Sequence, residues 1–210
     1  KYGGHGKISV REAFEKSSNV GISRLVNEHF GVNPSIYMEY VQMAALDKPV
    51  DFQIKGEGVP YFKQPGDKNW YGTTLPWMSI GYELMVTPLQ TLTLYNAVAN
   101  NGKMVKPMIV QRISKGSTIK EEFGTEVLRK QIASEKTISE LQSLLEGVVT
   151  NGTAKNIYTD QYRIAGKTGT AQKLVNGRYT QKYYTSFAGY FPADQPKYSA
   201  IIVIDSPSGF

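Results

Sequence analysis

Apolar residues recur at helical spacing in three early segments that are separated by capping signals. Val10, Ala13 and Phe14 form a stripe behind Ser9 and Glu12, a capping-box pair, and predict a short helix ending near Lys16. Ser17-Ser18-Asn19 follows, and then a second stripe of Val20, Ile22, Leu25, Val26 and Phe30 that stops at Gly31. Asn33-Pro34 opens a third helix carrying Ile36, Tyr37, Tyr40, Val41 and Ala44, because Asn caps well and Pro suits the first helical position. The Ser17–Asn19 triplet therefore lies at a helix-to-helix junction. Polar side chains there either cap the second helix or stand rigidly in a cleft, and capping is the commoner use of Ser and Asn.

The periodicity disappears over residues 47–78, which are rich in Gly, Pro and aromatics and read as an irregular insertion. Trp70, Tyr71 and Trp77 either line a groove or are its buried anchors, and burial is the expectation. Thr87-Pro88 restarts a helix with Leu89, Leu92, Tyr95 and Val98, stopped by Asn100-Asn101-Gly102. A strand is predicted from Met104 to Ile113, turned by Lys115-Gly116 into another from Thr118 to Phe123. A long helix then starts at Ser134 and carries Ile138, Leu141, Leu144, Leu145 and Val148 before Asn151-Gly152 ends it. Three extended segments follow: Ile164 to Leu174, a hairpin through Asn176-Gly177 into Thr185 to Phe191, and Lys197 to Asp205. Helices followed by consecutive antiparallel strands predict an α+β domain over residues 1–210.

Composition narrows the function classes. At 210 residues and 40% apolar content the chain can bury a sizeable core as one domain. It has no apolar run of about eighteen residues, no signal-like opening and no starting methionine, so a fragment or processed piece is expected. The absence of cysteine removes disulfide and thiolate chemistry. A net charge of +6 suits an anionic ligand or wall polymer, but no basic tract or motif supports nucleic-acid binding. His5 and His29 lack ligand spacing, and no metal site is indicated.

The chemistry concentrates in the segment Ile164–Leu174, where Lys167, Thr168, Gly169 and Thr170 place one cation, two hydroxyls and a side-chain-free residue together. That mixture suits a bound carboxylate. In a strand Lys167 and Gly169 share one face and Thr168 and Thr170 the other, unless a bulge or twist re-aims one of them. Gly169 weakens a strand, which suggests close approach of another backbone or a ligand. A peptide lying along such an edge would gain main-chain hydrogen bonds.

Ser17-Ser18-Asn19 and Lys167-Thr168-Gly169-Thr170, in that order, resemble the second and third motifs of penicillin-binding proteins. Ser79-Ile80-Gly81-Tyr82-Glu83 leading into Val86-Thr87-Pro88-Leu89-Gln90, Gly152-Thr153-Ala154, and Ser186-Phe187-Ala188-Gly189-Tyr190 also fit. The resemblance covers nearly the whole chain and is to the transpeptidase domain of a class B, division-type enzyme. It implies the penicillin-binding, β-lactamase-like fold, an antiparallel sheet packed with helices, incomplete here at both ends.

The resemblance also implies a chemistry. A serine attacks the carbonyl between two D-alanines of a peptidoglycan stem peptide, and an amine from a neighbouring stem resolves the acyl-enzyme. β-Lactam antibiotics trap the same serine. Ser17 would relay the proton to the leaving amine, Asn19 would bond the substrate amide, and Lys167 would act on the terminal carboxylate and on Ser17. Thr168, Gly169 and Thr170 would bind substrate, with Thr170 favoured for the carboxylate. No cofactor is implied. Divisome proteins are the expected partners, and the location is extracytoplasmic, with an N-terminal transmembrane anchor in the parent protein.

The family's Ser-x-x-Lys motif, which carries the nucleophile, is expected upstream of Lys1. The string Ser117-Thr118-Ile119-Lys120 is of a kind expected about once by chance, and it lies beside a turn rather than at a helix start. On this reading the 210 residues alone form no covalent adduct, and the Tyr198–Ile204 strand leaves apolar side chains uncovered. A β-lactam sensor or β-lactamase on the same fold, and a non-catalytic wall-binding or divisome scaffold, are the alternatives. Retention of Ser17, Asn19, Lys167 and Thr170 together argues against the scaffold, since packing does not require it.

Overall fold

Residues 4–175 and 177–208 are described by a computed structural model. Helix α1 (Val10–Glu15) starts in a complete capping box between Ser9 and Glu12. Helix α2 (Asn19–Phe30) starts behind Ser18, whose hydroxyl accepts from the Gly21 N–H, and closes with Gly31 N–H on the Asn27 carbonyl. Helix α3 (Pro34–Met43) begins without the side-chain cap expected of Asn33. With Asn33 at φ −136° and ψ 81°, only Pro34 favours the start.

Residues 47–78 contain β1 (Tyr61–Phe62) and α4 (Thr74–Met78), with irregular backbone elsewhere. Strand β1 pairs antiparallel with β2 (Leu84–Met85). Phe62 and Met78 are buried against Met38 and Val41 of α3, and Trp70 is half-buried at the edge of that cluster. Tyr71 and Trp77 are instead 62% and 47% exposed, contrary to the anchoring expected of them. Slimmer side chains fill the interface, and the Trp77 ring lies edge-on to Tyr82, 5.0 Å between centroids.

Helix α5 (Pro88–Ala99) has a second full capping box, Thr87 with Gln90. The Gln90 amide is buried and donates to the carbonyls of Leu46 and Lys48, satisfying two backbone acceptors after α3. The strand expected from Met104 to Ile113 is broken into β3 (Met104–Val105) and β4 (Arg112–Lys115). Pro107 has no N–H for a ladder, and the N–H groups of Ile109 and Val110 donate to the Gln53 side chain instead. β4 turns at Gly116 into β5 (Thr118–Glu122), and every residue of this two-stranded ribbon is exposed. β6 (Val127–Arg129) returns to pair with β3.

Helix α6 (Glu135–Thr150) leads through a short 3-10 turn (Lys155–Ile157) to the main sheet. That sheet is antiparallel in the order β7 (Ala165–Val175), β8 (Arg178–Phe191), β9 (Tyr198–Asp205). Asn176 of the expected Asn-Gly turn lies outside the described residues, but Val175 pairs with Arg178 across it. Helices α5 and α6 cover the sheet, with Ala97, Val98, Leu145, Ala165 and Tyr190 in one buried cluster. Tyr198, Ile202, Val203 and Ile204 stand exposed. Among the described residues no helix is long and apolar enough to cross a membrane.

A second cluster fixes where α1 sits. Phe14 packs with Phe187 of β8 and Ile164 around Val148, Val149 and Ala154. The Thr153 N–H donates to the Glu15 carbonyl at 3.1 Å, and a β-carbon on Gly152 would overlap that same carbonyl oxygen. The contact is backbone against backbone, so it cannot relax by turning a side chain. Gly152→Ala should therefore destabilise the fold by about 2 kcal/mol through forced overpacking, read as a lowered urea midpoint. An unchanged midpoint would show that α1 is not seated this way.

Candidate active site

Strand β7 is an edge strand, hydrogen-bonded to β8 and to no other strand among the described residues. Its register sets Lys167 opposite Ala188, Thr168 opposite Phe187, Gly169 opposite Ser186 and Thr170 opposite Thr185. A β-carbon at Gly169 would lie 2.7 Å from the Ser186 hydroxyl, so the close neighbour that glycine admits is a side chain of β8. Lys173, further along β7, reaches across β8 to Asp205 of β9 at 2.7 Å and lies 4.6 Å from the centre of the Tyr184 ring. Both carboxylate and ammonium stay charged more readily there, because each hydrogen-bonds the other.

Lys167 differs from Lys173. It is half-buried, and among the described residues its Nζ donates only to the backbone carbonyl of Thr168, at 3.2 Å. Burial, with no carboxylate partner among the described residues, pushes its pKa down to about 8. The Thr168 hydroxyl shares a 2.6 Å hydrogen bond with that of Thr153. Thr170 is exposed, and its hydroxyl has no hydrogen bond among the described residues.

At the α1–α2 junction the cap is Ser18. Ser17 and Asn19 on either side are exposed and free of the capping task. Ser17 takes the left-handed conformation, φ 52°, which costs a non-glycine residue about 1 kcal/mol or more. Two backbone bonds hold the turn: Ser17 N–H to Phe14 O at 3.1 Å and Ser18 N–H to Ala13 O at 2.8 Å. The junction is tied to β7 through Thr153, which bonds Glu15 on one side and Thr168 on the other. Thr153 and Ser186 were not singled out in the sequence as site residues. Their only signal was membership of the Gly152-Thr153-Ala154 and Ser186–Tyr190 stretches.

An aromatic wall stands beside the β7–β8 hairpin, with Trp77, Tyr82 and Tyr179 edge-on in succession at 5.0 and 5.1 Å. Behind it the buried Lys63 ammonium pairs with Glu83 at 2.7 Å, and Glu83 itself has φ 58°. Ser117 lies in the turn of the exposed β4–β5 ribbon and Lys120 on its strand, so that pair has no helix to present it. A cavity of about 610 Å³ lies elsewhere, at the start of β7, lined by Glu146, Tyr158, Arg163 and Pro192 among others. No group of three or more His, Asp or Glu side chains is placed to hold a metal among the described residues.

The profile of the penicillin-binding protein transpeptidase domain matches residues 2–209. The chain is 31% identical over 216 residues to stage V sporulation protein D of Bacillus subtilis, covering all of this chain and 32% of that protein. It is 30% identical over 207 residues to the peptidoglycan D,D-transpeptidase FtsI of Buchnera aphidicola, covering 98% of this chain and 34% of the other. It thus spans about a third of the length of the curated relatives it matches. Among solved structures, penicillin-binding protein 3 of Mycobacterium tuberculosis in complex with aztreonam superposes with a TM-score of 0.83 at 30% identity, over 96% of this chain and 46% of that one.

The lowered pKa of Lys167 has a consequence for stability. The folded value, about 8, lies below the model-peptide value of 10.5, so the folded state gives up its proton first as pH rises. The unfolded state then binds more protons, and stability must increase with pH across that window. Below pH 8 the desolvation cost is borne in full. The stability difference between the protein and its Lys167→Met variant should shift in favour of the lysine form between pH 8 and pH 10.5, as read from paired urea titrations. A flat difference would mean that Lys167 is solvated.

Proposed function

Because the chain belongs to the penicillin-binding protein transpeptidase family, we propose that the intact protein carrying it is a division-type peptidoglycan D,D-transpeptidase that cross-links stem peptides ending in D-Ala-D-Ala. A half-buried ammonium without a counter-ion among the described residues, on the open edge of β7, is the observation that carries this reading. An anionic peptide terminus supplies the missing charge, and its backbone supplies the missing ladder partner.

The reaction runs in two balanced steps. A serine Oγ of the intact protein attacks the penultimate D-alanine carbonyl, the C–N bond breaks, and the terminal D-alanine leaves with the serine proton. An amine from a second stem then attacks the ester, the C–O bond breaks, and the serine recovers a proton. Ser17, exposed and free of capping, is the relay for that proton, and Asn19 bonds the substrate amide. Lys167 holds the carboxylate and lends positive potential to Ser17. With the Thr168 hydroxyl engaged by Thr153, the unbonded hydroxyl of Thr170 takes the carboxylate, while Gly169 between them lets the Ser186 side chain of β8 approach the binding segment. This chemistry uses side chains and backbone donors alone. β-Lactams, whose amide and carboxylate copy the substrate's, acylate the same serine. The work is extracytoplasmic, where the wall is built, in company with divisome proteins.

Lys167→Ala in the intact protein should lower the second-order rate of penicillin acylation by roughly 10- to 150-fold, the equivalent of about 1.5 to 3 kcal/mol for a lost charge-assisted bond. The same rate for the unaltered protein should fall as pH rises through about 8, where Lys167 loses its charge. Labelling that ignores both the substitution and the pH would sink the carboxylate pocket. Ser117→Ala should leave labelling untouched, as its place on the exposed ribbon requires. Loss of the adduct in that variant would make Ser117 the nucleophile and overturn the residue roles above.

A further inference from the structure

We infer that Thr153 is a positioning residue of the acyl-transfer site, fixing Ser17 relative to Lys167 through one backbone and one side-chain hydrogen bond. The inference rests on the transpeptidase reading, since it concerns the geometry of that same site. Its backbone N–H donates to Glu15 O at 3.1 Å, two residues before Ser17, and its hydroxyl meets Thr168 Oγ1 at 2.6 Å, one residue after Lys167. Both ends of this bridge are rigid. On one side Gly152 lies so close to the Glu15 carbonyl that no β-carbon fits, and Ala154 beyond it is buried with its N–H on Val148 O. On the other side Thr168 is locked in register with Phe187, whose ring belongs to the cluster that holds Phe14.

The hydroxyl pair does a second job. Two hydroxyls sharing one hydrogen bond use one of their two protons, so one donor remains for a ligand. Thr153 therefore sets which way the Thr168 hydroxyl points and leaves Thr170 as the unencumbered one. Strain at Ser17 makes the same argument from the other motif. A residue held at φ 52° keeps that conformation only while its surroundings impose it, and Glu15 is the part of those surroundings that Thr153 touches.

The test uses the intact protein, with penicillin as the acylating probe. Thr153→Val keeps the shape of the side chain and removes the hydroxyl, and should slow acylation about tenfold, in the maximal rate rather than in the saturating concentration. Thr153→Ser, which restores the hydroxyl, should recover most of that loss, an outcome that simple loss of packing would not give. Because both substitutions act on one bond, the Thr153→Val/Thr168→Val double variant should be no slower than Thr168→Val alone. A Thr153→Val protein that acylates at the unaltered rate, or losses that multiply in the double variant, overturns the inference and leaves the transpeptidase reading standing. An unaltered protein that forms no adduct overturns that reading, and the inference with it. Should Thr153→Val not fold, Thr168→Val with Thr153→Ser still decides: a slowed Thr168→Val beside an unslowed Thr153→Ser supports the bond, and a Thr168→Val at the unaltered rate, or a Thr153→Ser as slow as Thr168→Val, refutes it.

Discussion

The contact of the Glu15 backbone with Gly152 and Thr153 is the constraint on which the arrangement of the site depends. It brings the end of α1, near the start of the chain, against the end of α6, more than a hundred residues later. Two glycines make it possible. A β-carbon at Gly147 would collide with the Glu15 carboxylate, and one at Gly152 with the Glu15 carbonyl. Arg11 reinforces the seat by reaching both Glu15 and the Ser143 hydroxyl. With α1 fixed, the turn carrying Ser17 and Asn19 is fixed. With the end of α6 fixed, so is the entry into β7. Two motifs that the sequence separates widely become parts of one frame without any direct bond between them.

Charge is distributed over that frame unevenly. Lys63, Lys106, Lys173 and Arg163 each have a carboxylate within ion-pair distance. Lys167 is half-buried with none among the described residues, a placement that lowers its pKa and weakens the fold at neutral pH. A protein tolerates such a residue where a ligand provides the opposite charge. An unpaired strand edge such as that of β7 offers main-chain hydrogen bonds to an extended peptide, the form of ligand proposed above. The match of the transpeptidase profile to residues 2–209 and the superposition on an aztreonam-bound relative fit the same reading.

The local elements were legible in the chain because their causes are local. The capping box at Ser9, the N-cap at Thr87, the Pro34 and Pro88 starts, and the stop signals at Gly31 and Asn100 act within a few residues, and the helices begin and end accordingly. The three strands of the main sheet were legible in order from their turn residues, but β8 begins at Arg178, seven residues before the expected Thr185, because it pairs with β7 right up to the hairpin turn. Where reading failed, a partner distant in sequence had intervened. Gln53 takes the N–H groups that would have continued the strand after Val105, and Tyr82 and Tyr179 give Trp77 a half-exposed place in an aromatic wall.

The sequence by itself determined the family and a set of candidate residues, since hydroxyl, amide and ammonium groups are fixed by residue type and the order of the motifs in the chain identified the family. It could not say which serine of Ser17-Ser18-Asn19 is consumed by capping. That depends on backbone angles, and the fold assigns Ser18 to the cap while holding Ser17 at φ 52°. Nor could it show that Lys167 lacks a carboxylate partner among the described residues or that Thr153 spans the two motifs. Those facts depend on which groups meet across more than a hundred residues of chain, and only the packing of α1, α6 and β7 around shared glycine contacts decides that.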